Sequence, residues 1–398
     1  MSDSLSPVTS PALPYWRLSS FYFFYFCVVG AMVPYWGVYL KSLGYSSRDV
    51  GIIGAIILAT RIIAPNFWGW LADRTQKRLQ IIRLGSFAAC AFFAGVFVDQ
   101  SFVWLVVVVS AYTFFWHAVL PQFEVITLSY LAKDHHRYGQ IRLWGSVGFI
   151  AAVMLLGWLF DILSVRYLPV FIFTFLLLIG LSSISLKPIA PQVSNNKSGG
   201  FWRVVGQPTM LCFLLMSFLL QLSHGPYYTF YSLYLIDNHQ YSSGVTGLLW
   251  ALGVMAEVVV FIVMHHLLRH FSLRTLLLWV LLVTSIRWWL IAAFAEYWPM
   301  LVFAQLLHAG SFGVAHAVSI EMVRRYFGGA HQSQGQALYS SLSFGAGGAL
   351  GALLGGILWD YSAELTFYLC GMCALLAFLI AYLGVFPKAH TVIESSDS

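Results

Sequence analysis

The chain has 398 residues, of which 60% are hydrophobic and only 9% are charged, with a formal net charge of +6. A soluble globule of this size needs a polar surface, so the composition excludes the soluble classes and indicates a polytopic membrane protein. The apolar runs are also too long for barrel strands, which span about ten residues. An all-helical membrane protein is the predicted fold class.

In chain order, residues 1–14 are rich in Ser and Pro, which predicts a disordered N-terminal tail without a cleavable signal peptide. Twelve apolar spans of about twenty residues follow, in two sets of six. The predicted spans are 16–40, 48–71, 80–98, 101–131, 139–163, 167–187, 207–236, 243–268, 273–294, 298–323, 333–358 and 362–386. They predict an N-terminal six-helix bundle (15–187), a cytoplasmic linker (188–205), a C-terminal six-helix bundle (206–387) and a C-terminal tail (388–398).

The basic residues mark the sidedness of the chain. With the N-terminus inside, 15 of the 21 Lys and Arg residues fall in inner segments, 3 fall in outer loops and 3 fall within spans. The positive-inside rule then places both termini and the linker in the cytoplasm. The expected location is a bacterial inner membrane. Because topology explains the basic charge, no nucleic-acid partner is expected.

The two halves are similar in sequence. YSSRDVGIIGA (45–55) aligns with YSSGVTGLLWA (241–251) at an offset of 196 residues. At the same offset, Arg61 on the second helix falls opposite Glu257 on the eighth. A parallel repeat predicts a pseudo-two-fold axis along the membrane normal, with a substrate site near the midplane between the halves.

Glu124 and Arg142 flank a short basic loop, and both lie inside hydrophobic sequence. A charge in lipid costs several kcal/mol unless it is paired or faces water, so the two helices are expected to turn these side chains toward a shared polar cavity. The pair is the first candidate for a substrate site. The alternative for Arg142 is that it extends to the cytoplasmic headgroups.

Four further ionisable groups lie deep in their spans: Arg61, Glu257, Arg287 and His308. Each could form a structural ion pair that fixes two helices, but such groups more often lie on a substrate path or a proton relay. Glu257 is the favoured proton carrier.

The sequence offers no metal or cofactor site. The histidines and the five cysteines lack the spacing of a zinc site, and no nucleotide-binding loop or catalytic constellation occurs. The chain is therefore not expected to be an enzyme. The expected partners are a small-molecule substrate, protons and the lipid bilayer.

The loop after the second helix reads GWLADRTQKR (69–78), with Gly69, Asp73 and Arg74 as candidate gating residues. Asp73 ends a helix, where the dipole disfavours a carboxylate, so it is expected to have another partner such as a neighbouring helix N-terminus. This loop resembles the signature of the major facilitator superfamily, with Gln76 in place of the usual second glycine.

The chain most resembles the lactose-permease-like branch of proton symporters. In that branch a glutamate on the fourth helix and an arginine on the fifth bind substrate at the spacing of Glu124 and Arg142. RLWGSVGF (142–149) is similar to the branch's motif and places Phe149 at the substrate-stacking aromatic.

The resemblance extends to the coupling network of that branch, whose carboxylate, arginine and histidine match Glu257, Arg287 and His308. The chain departs at Ser311, where the lactose permease has its proton-carrying glutamate.

Within this branch, Arg61, YGQIRLWGSVGF (138–149) and LWALGVMAEVVVF (249–261) look most like the phenylpropionate transporter group. The resemblance implies a monomeric transporter that imports an aromatic carboxylic acid together with protons. A sugar or nucleoside proton symporter of the same fold is the alternative. A proton-antiport exporter is less favoured, because the fifth span lacks the glycine-proline motif of exporters.

Overall fold

The computed structural model describes residues 13–131, 134, 137–188, 200–327 and 331–385. Within these residues it confirms the all-helical fold, with twelve helices long and apolar enough to cross a membrane and no strand. Residues 1–12 of the predicted N-terminal tail, 189–199 of the predicted linker and the whole predicted C-terminal tail lie outside the described residues.

Twelve spanning helices are labelled α1 to α12 in chain order. The first six are α1 (Tyr15–Ser42), α2 (Ser47–Thr75), α3 (Arg78–Phe97), α4 (Phe102–Leu131), α5 (Tyr138–Phe160) and α6 (Val165–Ile184). A short helix, Phe201–Val205, precedes the second set. The second six are α7 (Pro208–Asn238), α8 (Ser243–His270), α9 (Leu273–Phe294), α10 (Trp298–Tyr326), α11 (Gln332–Trp359) and α12 (Ala363–Val385).

Lipid offers no hydrogen-bond partners, so each spanning segment must satisfy its backbone internally as a helix. The first backbone amides of a helix have no acceptor within the helix, and side chains can supply one. Ser242, Ser272 and Ser362 each accept a hydrogen bond from the amide three residues later, and so cap α8, α9 and α12.

Four helices contain a π-helical turn. These turns are Tyr234–Asn238 in α7, Ala309–Val314 in α10, Ser341–Gly347 in α11 and Ala381–Val385 in α12. A π turn adds a residue to a helical turn and occurs frequently at functional sites.

The chain divides into two compact units. The described residues of the first unit fall within Met1–Met32, Ala64–Val153 and Tyr167–Ser194, and those of the second within Val33–Ile63, Met154–Arg166 and Asn195–Ser398. The units therefore divide α1, α2 and α5, whereas the six-helix bundles inferred from chain order stay a prediction.

Close contacts between helices join the three chain segments of the second unit. A Cβ added to Gly157 on α5 would lie 2.7 Å from the carbonyl oxygen of Ser243, the first residue of α8. A Cβ added to Gly356 on α11 would lie 2.8 Å from the carbonyl oxygen of Ser47, the first residue of α2. Both glycines open similar segments near the ends of their helices, GWLFD (157–161) and GILWD (356–360).

Candidate functional site

In the first unit, the structure brings the predicted substrate pair together. Arg142 Nε lies 3.9 Å from Glu124 Oε1, and the two side chains are 32% and 37% exposed. The Arg142 guanidinium also lies over the Phe26 ring at 4.1 Å and over the Tyr22 ring at 5.7 Å. Contact with a ring face stabilises a cation while leaving its hydrogen-bond donors available. Arg142 is thus positioned to bind an anionic or polar group.

Two tyrosines complete this cluster. The Tyr138 side chain is a hydrogen-bond partner of Glu124, and the Tyr22 hydroxyl donates to Thr127 Oγ1 at 3.2 Å. Tyr138 is the first residue of α5. Its role at Glu124 was not predicted, because Tyr138 entered the sequence analysis only as the first residue of the motif YGQIRLWGSVGF (138–149).

Phe149 lies seven residues after Arg142 on α5, and its side chain is 7% exposed. A spacing of seven residues places both side chains on one face of the helix. The Phe149 backbone packs closely on α1, since a Cβ at Gly30 would lie 2.8 Å from its carbonyl oxygen. The stacking role implied by the resemblance stays a prediction.

In the second unit, Arg287 is fully buried and bonded to neutral groups. It donates to the carbonyl of Ala304 at 3.1 Å, to Ser311 Oγ at 3.2 Å and to Gln305 Oε1 at 3.3 Å. Its guanidinium also lies 4.3 Å from the centre of the Tyr227 ring. Ser311, at the position of the symporter glutamate, is therefore a neutral acceptor for Arg287.

Besides the Glu124–Arg142 pair, Glu257 of α8 and His308 of α10 form a contact between ionisable side chains. His308 Nε2 lies 3.8 Å from Glu257 Oε2, and the side chains are 6% and 16% exposed, respectively. Carboxyl and imidazole groups can both take up and release a proton. The structure thus places two of the three predicted coupling residues in direct contact, next to the buried Arg287 cluster.

Arg61 of α2 also belongs to the second unit. Arg61 and Glu257 both act electrostatically on the phenol of Tyr228, which lies on α7. Tyr228 was missed in the sequence, because nothing in a helix rich in tyrosine distinguishes one hydroxyl from the next.

The loop predicted to take part in gating contains an ion pair. Asp73 Oδ1 lies 2.6 Å from Nη2 of Arg78, the first residue of α3, and Arg78 also donates to Gln122 on α4. Asp73 was expected to have another partner, such as a neighbouring helix N-terminus. The observed partner is the side chain of Arg78 at the start of the next helix.

The other two loop residues have less specific contacts. The Arg74 guanidinium lies 5.7 Å from the centre of the Trp70 ring. Gly69 lies near α4, since a Cβ there would be 3.5 Å from Nε2 of the Gln122 side chain. Gln76 adopts φ +55°, the left-handed conformation that the usual glycine would favour.

Twelve helices that could span a membrane, with ion pairs inside them, are typical of membrane transporters that move solutes through a polar path. A family model described as the MFS_1 like family matches residues 15–369, so the chain belongs to this family of the major facilitator superfamily. The predicted family is confirmed. The protein is a multi-pass secondary transporter and not an enzyme.

Two curated relatives match nearly the whole chain. The "Probable 3-phenylpropionic acid transporter" of Escherichia coli (strain K12) is 29% identical over 379 residues, covering 90% of this chain and 95% of the relative. The "Maltose permease" of Geobacillus stearothermophilus is 27% identical over 381 residues, covering 91% and 92%.

Solved structures share the fold at low identity. A variant of the nucleoside transporter NupG has a TM-score of 0.84 at 14% identity, covering 92% of this chain and 98% of that one. An inward-facing bacterial homologue of the human lysosomal transporter Spinster has a TM-score of 0.70 at 15% identity, covering 93% and 97%.

Proposed function

We propose that this protein is a proton-coupled symporter that imports an aromatic carboxylic acid, such as 3-phenylpropionate, by alternating access. The observation that carries the proposal is the contact of 3.8 Å between Glu257 and His308 inside membrane-spanning helices. An ionised carboxylate in such a place is costly, whereas a protonated one is neutral and can move with the substrate.

The proton is expected on Glu257. The Tyr227 ring lies 4.3 Å from the Arg287 guanidinium and 5.9 Å from the His308 ring, so Arg287 and His308 are close to each other. A second positive charge beside a buried arginine is unfavourable, so the imidazole is expected to stay neutral and to orient the carboxyl group. Ser311 accepts a hydrogen bond from Arg287 and has no acidic proton to carry at neutral pH. Glu257 therefore takes the part that the glutamate at the Ser311 position has in the lactose permease.

In the first unit, substrate binding is assigned to Glu124, Arg142 and Phe149, and in the second unit a substrate-binding role is assigned to Arg61. The guanidinium of Arg142 can hold a carboxylate through paired hydrogen bonds while it rests on the Phe26 ring. The relative that is named a probable 3-phenylpropionic acid transporter supports this substrate class.

A sugar or a nucleoside is the second candidate substrate. Glu124 has carboxylate oxygens that can accept hydrogen bonds from hydroxyl groups, and Arg142 has donors beside them. Maltose permease among the relatives and a nucleoside transporter among the similar structures favour this alternative.

We also propose a monomer in the bacterial inner membrane with both termini in the cytoplasm. The orientation is supported by the excess of basic residues in the segments assigned to the inner side, 15 against 3 in the outer loops. Asp73, Gly69 and Arg74 would then lie in an inner loop that changes conformation as the transporter opens and closes.

The test is uptake of radiolabelled 3-phenylpropionate into right-side-out vesicles, with and without an imposed proton gradient. We expect accumulation only with the gradient, and we expect Glu257→Gln to lose accumulation but retain exchange of substrate across the membrane. Glu321→Gln is the matched control, because Glu321 is paired with Arg324 and Arg325 at the end of α10.

Each outcome separates the alternatives. If wild-type vesicles accumulate maltose or a nucleoside but no aromatic acid, the substrate assignment is wrong and the symporter class stands. If Glu257→Gln still accumulates substrate against its gradient, Glu257 does not carry the proton.

A further inference from the structure

At the Glu257–His308 contact, each helix has a glycine opposite the ionisable side chain of the other. A Cβ added to Gly313 of α10 would lie 3.0 Å from Glu257 Cγ. A Cβ added to Gly253 of α8 would lie 3.2 Å from His308 Cδ2 and 3.4 Å from His308 Cγ. Non-bonded carbon atoms pack at about 3.5–4.0 Å. Glycine at both positions therefore lets the two ionisable side chains lie directly against the backbone of the facing helix.

The glycine of α8 lies beneath the imidazole. Gly253 and Glu257 are four residues apart, so they lie on the same face of α8, one helical turn from each other. The His308 ring packs on Gly253, and its Nε2 atom lies 3.8 Å from Glu257 Oε2 at the next turn. A side chain at position 253 would occupy space that the imidazole ring now fills.

The glycine of α10 reaches the contact through a π-helical turn. Gly313 follows His308 by five residues and lies in the π turn Ala309–Val314. In a regular α-helix, residues five apart lie on different sides, because one turn contains about 3.6 residues. The i to i+5 pattern of a π turn places them on the same side. Gly313 and His308 therefore both face Glu257 on α8.

Gly253 also lies against an acceptor of the buried Arg287. A Cβ at Gly253 would be 3.4 Å from Gln305 Oε1. This oxygen accepts hydrogen bonds from Arg287 Nη2 at 3.3 Å and from the Tyr227 hydroxyl at 3.2 Å. The close approach of α8 and α10 at Gly253 thus includes both the imidazole of His308 and the side chain that binds Arg287.

Other ionisable groups face this region, but they lie farther from the two glycines. The atom nearest to a Cβ at Gly313 belongs to Glu257. The atom nearest to a Cβ at Gly253 belongs to His308. A methyl group at either glycine therefore acts first on one member of the contact. The other ionisable groups that face this region are Arg287 of α9, His224, Tyr227 and Tyr228 of α7, His316 of α10 and Arg61 of α2.

We propose that Gly253 and Gly313 are positioning residues of the proton site, because they set the separation between the Glu257 carboxyl and the His308 imidazole. This inference rests on the proposed function, in which Glu257 carries the proton. A neighbouring polar group changes how readily a carboxyl group binds and releases a proton. The distance to the imidazole therefore determines the pH range over which proton binding drives transport. A methyl group at either glycine changes that distance and leaves both ionisable groups in place.

The experiment follows radiolabelled 3-phenylpropionate in vesicles over a range of pH, both as accumulation driven by a proton gradient and as exchange without a gradient. In Gly313→Ala and Gly253→Ala, we expect the midpoint of the pH profile for accumulation to move by about threefold to tenfold in proton concentration, the change that one hydrogen bond makes to an equilibrium. Exchange at saturating substrate is expected to persist, because both ionisable groups remain. A folding defect alone would lower both kinds of transport equally at every pH.

Gly310→Ala is the matched control, because Gly310 lies in the same π turn and a Cβ there would meet Val283 Cγ1 at an ordinary distance of 3.5 Å. It adds the same methyl group and is expected to keep the wild-type pH profile. Gly313→Ala combined with Glu257→Gln is the second control. Without the carboxyl group, the added methyl group is expected to leave the pH dependence of exchange as it is in Glu257→Gln alone.

Two results would overturn this inference while the proposed function stands: wild-type pH profiles in both Gly253→Ala and Gly313→Ala, or an equal shift in Gly310→Ala. If wild-type vesicles accumulate maltose or a nucleoside instead, that solute replaces 3-phenylpropionate as the probe. If the proton gradient drives accumulation of none of them, or if Glu257→Gln still accumulates substrate, the proposed function fails and this inference fails with it. Melting temperatures identify a variant that does not fold, and Gly253→Ala tests the inference if Gly313→Ala is lost in this way.

Discussion

Asp161, just after α5, holds the start of α8 in the second unit. Its two carboxylate oxygens accept hydrogen bonds from the amide of Gly244 at 3.2 and 3.1 Å, and Oδ2 also accepts one from Ser242 Oγ at 3.0 Å. The contact joins two helix ends that the sequence assigns to the outer side. The positive end of the α8 dipole adds to the attraction.

Replacing Asp161 by Ala removes these bonds together with the charge. A hydrogen bond to a charged group contributes about 1.5–3 kcal/mol, and exposure to water places this group at the lower end of the range. The helix-end contribution is about 0.3–1 kcal/mol. The two contributions together make the start of α8 easier to open by about 2 kcal/mol, which is roughly a thirtyfold change in its opening equilibrium.

Hydrogen–deuterium exchange of the protein in lipid vesicles measures this opening. In Asp161→Ala, peptides covering 243–250 are expected to exchange faster by that factor, while the start of α9, capped by Ser272, is unaffected. Asp99→Ala is the control, because Asp99 accepts hydrogen bonds from Ser101 within its own loop. Unchanged exchange at 243–250 would show that Asp161 does not stabilise the start of α8.

Two further predictions concern stability in detergent, measured by thermal unfolding. Gly351→Leu is expected to prevent expression of folded protein, because a Cβ there would collide with the Leu222 carbonyl of α7, whereas Gly139→Leu, with nothing within 4 Å, is tolerated. Gln76→Val is expected to lower stability by about 1–2 kcal/mol, because a β-branched residue fits φ +55° poorly. Gln76→Gly is expected to be nearly neutral, since relief of strain offsets added chain entropy. A stable Gly351→Leu, or a Gln76→Val as stable as Gln76→Gly, would contradict these expectations.

The predicted spans agree with the observed helices to within a few residues at most ends. The fourth span was predicted at 101–131 and the helix is Phe102–Leu131. The agreement follows from one constraint, that a segment in lipid must be apolar, helical and about twenty residues long. Intramembrane charges are equally visible in a sequence, because their cost makes them rare. Glu124, Arg142, Glu257 and His308 were found in this way.

The contacts of these charges were less predictable. Arg287 was expected in a coupling network, and the structure shows which neutral acceptors it has, including Ser311. Ring-to-ring contacts, such as those of Phe312 with Tyr228 and Phe344, could not be seen in the sequence at all. A chain with 32 Phe and 21 Tyr residues gives no signal for which rings face one another.

By itself, the sequence determined that this chain is a twelve-helix transporter of the major facilitator superfamily, and which charges lie inside its membrane spans. Hydropathy and a signature loop are local properties of the sequence, so both can be recognised without knowing how the helices pack. Only the tertiary structure decided which face each helix turns toward its neighbours. Helices that are apolar on nearly every side carry no pattern that fixes this rotation. The Glu257–His308 contact and the hydrogen bonds between Asp161 and the start of α8 therefore arise from packing.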